Sequence, residues 1–104
     1  MKLQTTPLKD CFIIELPVFT DERGTFIETF HKEKFFQATG LAIDFIQDNQ
    51  SVSKYGVLRG LHFQEGNAAQ AKLVRVVQGE VLDVVVDLRQ DSPSFGQHFS
   101  SQRP

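Results

Sequence analysis

The 104-residue sequence contains no tryptophan, one tyrosine, one methionine and one cysteine. A lone Cys11 cannot form an internal disulfide, so packing alone must hold the fold, and a reducing, cytoplasmic setting is expected. No apolar run is long enough to cross a bilayer. The opening MKLQTTPLKD lacks the apolar core of a secretory signal. No membrane partner is therefore expected. Positive charge is not in excess either: 11 Lys and Arg stand against 13 Asp and Glu, for a net charge of −2. With a pI near 5.8, the chain lacks the basic character of a nucleic-acid surface, and no nucleic-acid partner is expected. Internal repeats, linkers and low-complexity stretches are absent too.

What the chain does have is phenylalanine, ten copies of it, in a composition that is 40% hydrophobic. That suffices for the core of one small domain over residues 1–104. The pattern is mostly strand. Cys11 to Leu16 is a short apolar run closed by Pro17. Asp21-Glu22-Arg23-Gly24 is a tight turn in which Gly24 can take a positive φ. Thr25 to Phe30 alternates. His31 to Thr39 is the one convincing helical segment, with Gly40 able to end it. Asp44 to Ser53 returns to strand, with Phe45, Gln47, Asn49 and Ser51 on one face. Strands are expected again over Val57 to Gln64, Ala71 to Val77 and Glu80 to Leu88. The last two are joined by a hairpin-like Gln78-Gly79, and a weak strand follows over Phe95 to Ser100. About six or seven short strands separated by turns predict a jelly-roll sandwich or barrel.

One stretch stands apart. Val57 to Lys72 reads VLRGLHFQEGNAAQAK and sets an arginine, a histidine, a glutamine and a lysine among apolar strand neighbours. Burying such groups is costly without partners, so the pattern predicts a polar pocket inside the β-structure. Strict alternation puts Arg59 and His62 on opposite faces, which calls for a bend or bulge at Gly60. A jelly roll closes with about eight strands, and this chain stops short of that. Bare sheet edges invite pairing with another chain. The expectation is a strand-sharing homodimer or a piece truncated from a longer protein.

At these residues the chain closely resembles a known family. The blocks are Asp21-Glu22-Arg23-Gly24 with Phe26 and Glu28, Gln47-Asp48-Asn49 with Ser51, Leu58-Arg59-Gly60-Leu61-His62-Phe63-Gln64, Gln70-Ala71-Lys72-Leu73-Val74, and Gly79-Glu80-Val81 through Arg89. Their order and spacing resemble the dTDP-4-dehydrorhamnose 3,5-epimerases, cofactor-free cupin enzymes of the dTDP-L-rhamnose pathway, and match the N-terminal part of that family's pattern. The resemblance implies an all-β, cupin-type jelly roll, incomplete in this chain, with one short helix. It implies inversion of the two carbons flanking the ketone of a dTDP-4-keto-6-deoxy sugar.

The same resemblance assigns roles. Proton abstraction α to a carbonyl needs a base that is neutral near pH 7, and His62 matches that base. A histidine met alone reads as a hydrogen-bonded core residue; the surrounding RGLHFQ favours the base. Stabilising the enolate needs positive charge where the oxyanion develops, and Lys72 matches that lysine. Taken alone it would be a surface lysine with its head in water, but sharing a face with Val74 and Val76 suggests an inward direction. Arg59 matches the substrate-binding arginine, whose fork suits a diphosphate. Gln47 and Asn49 resemble the substrate's hydrogen-bonding pair, and each alone is as readily an ordinary buried amide. Arg23 and Glu28 match residues that contact the nucleotide across a dimer.

Two departures qualify the resemblance. The family's proton donor, a tyrosine, and the carboxylate that orients its histidine belong to a C-terminal part with no counterpart here; Tyr55 lies in a turn and does not match that donor. The place where many cupins carry a metal-binding HxH reads His62-Phe63-Gln64, so no metal is expected. Asp83 and Asp87 share a strand face and could reach a cation, or could be polar positions of the pocket or of a wet face. Three functions therefore stay open: an epimerase represented by part of its chain, a module that only binds nucleotide sugars, and a strand-sharing interaction protein. Within the first, epimerisation of one carbon and ketone isomerisation are variants.

Overall fold

A computed structural model of the chain describes residues 1–103; the last position of the 1–104 domain lies outside the described residues. Among the described residues there are six strands, one helix and one short 3₁₀ turn. The strands form three separate antiparallel ribbons. β1 (Lys2–Thr5) pairs with β2 (Phe12–Glu15), β3 (Val18–Asp21) with β4 (Gly24–Ile27), and β5 (Val81–Val86) with β6 (His98–Arg103).

Local chemistry explains each connection. Between β1 and β2 the Thr6 hydroxyl donates to the Cys11 carbonyl at 2.8 Å, and Asp10 takes a left-handed φ of 60°, which a short polar side chain tolerates. β3 and β4 are joined by Glu22-Arg23 alone, since Asp21 pairs directly with Gly24. The helix α1 (Lys32–Thr39) opens on His31, whose side chain accepts from the Lys34 N–H. It closes at Gly40, whose φ of 74° lets its N–H reach the Phe36 carbonyl, the left-handed ending expected for glycine.

The core is small. Among the described residues only Leu8 and Phe35 are buried apolar side chains, and Asp87 and Ser94 are the buried polar ones. Phe45 packs edge-on against both Phe30 and Phe35, the geometry favoured by the aromatic quadrupole, and Phe30 and Phe35 meet at a tilt of 52°; the ring centroids are 5.4 to 5.7 Å apart. The radius of gyration is 15.3 Å, above the ~13 Å of a closed domain of this size.

Several expectations need correction. β1 and β3 lie outside the expected strands: β1 is too short and polar to show a period, and β3 begins immediately after Pro17. The segments 44–53, 57–64 and 71–77 form no strand among the described residues. Their patterning is strand-like, but a strand also needs a neighbour to complete its backbone hydrogen bonds, and among the described residues none pairs with them. Gln78-Gly79 is consequently not a hairpin, and β5 pairs with β6 instead. β6 itself starts later than expected, because residues 87–97 are taken up by a tight loop.

Candidate functional site

The β3–β4 hairpin delivers the first candidate. Arg23 sits in its two-residue tip, and its side chain is 91% exposed. The Asp21 carboxylate accepts from the Arg23 Nη2 at 2.7 Å and from its Nε at 3.2 Å. Asp21 Oδ1 also accepts the backbone N–H of Arg23 at 2.8 Å. The paired guanidinium holds the Asp21 carboxyl below the usual carboxylate range. A groove of about 470 Å³ runs beside the tip, past Phe19, Arg23 and Phe26.

Glu28 follows β4 and is half-buried. The Lys34 ammonium of α1 donates to it at 2.9 Å, and that bond lowers the Glu28 pKa. Gln47 and Asn49 face the same way: the Gln47 side-chain amide donates to the Asn49 side-chain oxygen Oδ1 at 3.4 Å. Arg59 donates through Nε to the Ser53 hydroxyl at 3.0 Å. Gly60 adopts a φ of 116°, outside the range of a regular strand.

His62 and Lys72 are both exposed, as are Arg59, Gln47 and Asn49. The buried polar pocket foreseen for Val57 to Lys72 is not formed by the described residues. The inward direction foreseen for Lys72 is corrected too, since its face-mate Val74 is 66% exposed. The cause is the missing strand pairing: with no sheet opposite, a side chain on either face meets water. The chain thus brings Gln47 to Asn49 but leaves His62 without a hydrogen-bonding partner among the described residues.

Asp87 behaves differently. It is buried and accepts hydrogen bonds from the backbone and side chain of Arg89 and from the hydroxyls of Ser92 and Ser94. The Arg89 guanidinium above all, then the two hydroxyls, hold its carboxyl far below the ordinary range. Those donors fill the carboxylate, so it is not a free cation ligand. Among the described residues no three His, Cys, Asp or Glu side chains converge to hold a metal, and no helix is long and apolar enough to cross a membrane. Sequence reasoning missed the partners Asp21, Lys34 and Arg89. The Asp-x-Arg spacing, which recurs at Asp21-Glu22-Arg23 and Asp87-Leu88-Arg89, was the available signal.

Comparison with known proteins gives a consistent result. The family model described as dTDP-4-dehydrorhamnose 3,5-epimerase matches residues 5–102. The chain is 53% identical over 92 residues to the dTDP-4-dehydrorhamnose 3,5-epimerase of Salmonella typhimurium, an alignment covering 88% of this chain and 50% of that protein. The crystal structure of the Elizabethkingia anophelis enzyme of the same name superposes with a TM-score of 0.94 at 56% identity, over 99% of this chain and 56% of that one. The Bacillus anthracis enzyme, crystallised with TDP and PPi bound, superposes with a TM-score of 0.89 at 42% identity, over 98% of this chain and 58% of that one. The chain spans about half the length of the curated relatives it matches. Its ribbons and helix are thus part of a cupin-type fold.

Proposed function

The chain belongs to the dTDP-4-dehydrorhamnose 3,5-epimerase family, and from that premise we propose that it carries the base and much of the substrate-binding surface of a 3,5-epimerase. The substrate is dTDP-4-dehydro-6-deoxyglucose. His62 removes the proton α to the ketone, and the C–H electron pair passes into the enolate. The Lys72 ammonium stabilises the oxyanion as it forms. Arg59 anchors the diphosphate, and Gln47 and Asn49 orient the sugar. Arg23 and Glu28 contact the nucleotide across a homodimer that exchanges strands. No cofactor takes part. The activity belongs to the cytoplasmic supply of dTDP-L-rhamnose for cell-surface polysaccharide, including lipopolysaccharide.

One observation carries the reading: the five motif blocks occur in family order and spacing along a backbone that follows the family's own path. A relative crystallised with TDP and PPi supports the choice of ligand. Exposed Val18, Phe19 and Phe26 on the β3–β4 hairpin support burial against a second copy. The test is solvent deuterium incorporation into the substrate, followed by NMR. Label at the two carbons beside the ketone, lost in His62→Ala, is expected.

The alternative of a module that only binds nucleotide sugars is not favoured, because the relatives matched at about 50% identity are themselves named as epimerases. A folded protein whose Tm rises with dTDP, yet which incorporates no deuterium, would reverse that preference.

A further inference from the structure

The geometry points to Asp21 as the positioning residue for Arg23: it holds the guanidinium in place for an anionic nucleotide group without touching that group itself. This rests on the reading of Arg23 as a nucleotide contact.

Three observations converge on the hairpin tip. The loop between β3 and β4 is only Glu22-Arg23, so the Arg23 backbone is set by the turn. Asp21 Oδ1 accepts the Arg23 N–H at 2.8 Å, fixing that turn as an Asx motif. The same carboxylate receives Nε and Nη2 of the side chain, at 3.2 and 2.7 Å. One acidic side chain therefore immobilises both the backbone and the head group of the arginine. Arginine carries five N–H donors, and this fork engages one edge. The Nη1 edge stays available on a side chain that is 91% exposed, beside the groove lined by Phe19 and Phe26.

Such a pair adds little to stability, because both partners are in water. Its use lies in binding. An arginine that must first be ordered weakens its ligand by about three- to tenfold, the loss attached to immobilising one long side chain. The opposite effect is also physically conceivable: a carboxylate on the guanidinium can compete with an incoming anion. The fork favours positioning, since it leaves the outer edge free.

Asp21→Asn separates these effects. The amide oxygen still accepts the backbone N–H, so the turn survives, while the charge on the guanidinium is lost. Two measurements follow: the ¹⁵N order parameter of the Arg23 Nε–H, which needs no ligand, and the dTDP dissociation constant by calorimetry, with Arg23→Ala alongside. The expected result is a lower order parameter and about three- to tenfold weaker dTDP binding in Asp21→Asn, with circular dichroism unchanged. An unchanged order parameter overturns the proposal. So does a mobile Arg23 with dTDP bound as tightly as before, or more tightly. If Arg23→Ala leaves dTDP affinity untouched, the reading of Arg23 itself falls, and the positioning role with it.

Discussion

The hydroxyl of Ser94 accepts a hydrogen bond from the backbone N–H of Lys9 at 3.0 Å, across 85 positions of chain. Ser94 in turn donates to Asp87, and Arg89, held by the same Asp87, donates to the Lys9 carbonyl. The loop after β5 is thereby clasped to the turn after β1 through one buried carboxylate. Ser94→Ala removes a donor to a charged group and the acceptor for Lys9. A loss of about 2 kcal/mol is expected by urea denaturation, whereas Ser53→Ala, on an exposed segment, should change stability by less than about 0.5 kcal/mol.

The clasp also makes stability depend on acid. The Asp87 carboxyl in the folded chain lies well below its ordinary range, chiefly through the Arg89 guanidinium and then Ser92 and Ser94. Its unfolded counterpart titrates at about 3.9. Below that point the unfolded chain binds more protons than the folded one, so stability rises with pH there. The contribution is complete above about pH 5 and fades as pH falls through 4 and lower. Thermal melts between pH 7 and pH 2.5 should show that loss, and Asp87→Asn should flatten the slope while lowering Tm at neutral pH.

Helix α1 depends on the backbone of the residue that caps its C-terminus. Gly40 has a φ of 74°, and a methyl group built there would touch nothing within 4 Å. Any cost of Gly40→Ala is then conformational, about 1 kcal/mol. Gly40→Asn should recover part of it, because asparagine visits the left-handed region more readily. Denaturation of the two variants side by side checks the order.

The aromatic triad ties the helix to the segment after it. Phe45 meets Phe30 at 5.4 Å and Phe35 at 5.6 Å, and it is half-buried. Phe45→Ala should destabilise by about 2 kcal/mol, roughly half the loss for a fully buried ring. The release of the 41–45 segment should appear as faster hydrogen exchange there while β5 and β6 stay protected.

The catalytic roles proposed for His62 and Lys72 should separate from stability. Both are exposed and neither supports packing, so alanine variants should keep stability within about 0.5 kcal/mol of wild type. Deuterium incorporation should vanish in His62→Ala and fall by at least about 100-fold in Lys72→Ala, the weight of one oxyanion-stabilising group.

Much of this was legible in the amino-acid order. The helix between His31 and Gly40 follows from its patterning and its left-handed ending. The β3–β4 turn follows from Asp21 to Gly24, and β5 from the apolar run around Val84. Family membership follows from the motif blocks, because the types and spacing of Arg59, His62 and Lys72 are properties of the chain alone. Tertiary structure decided the rest. Strand-like runs at 44–53, 57–64 and 71–77 became ladder-free chain, since a strand exists only where another backbone accepts its hydrogen bonds. Asp87 became the saturated centre of a clasp, since only folding brings Ser94 and Lys9 to it. Burial of Lys72 could not be read from Val74 and Val76, because a side chain's direction matters only once a second layer stands opposite it.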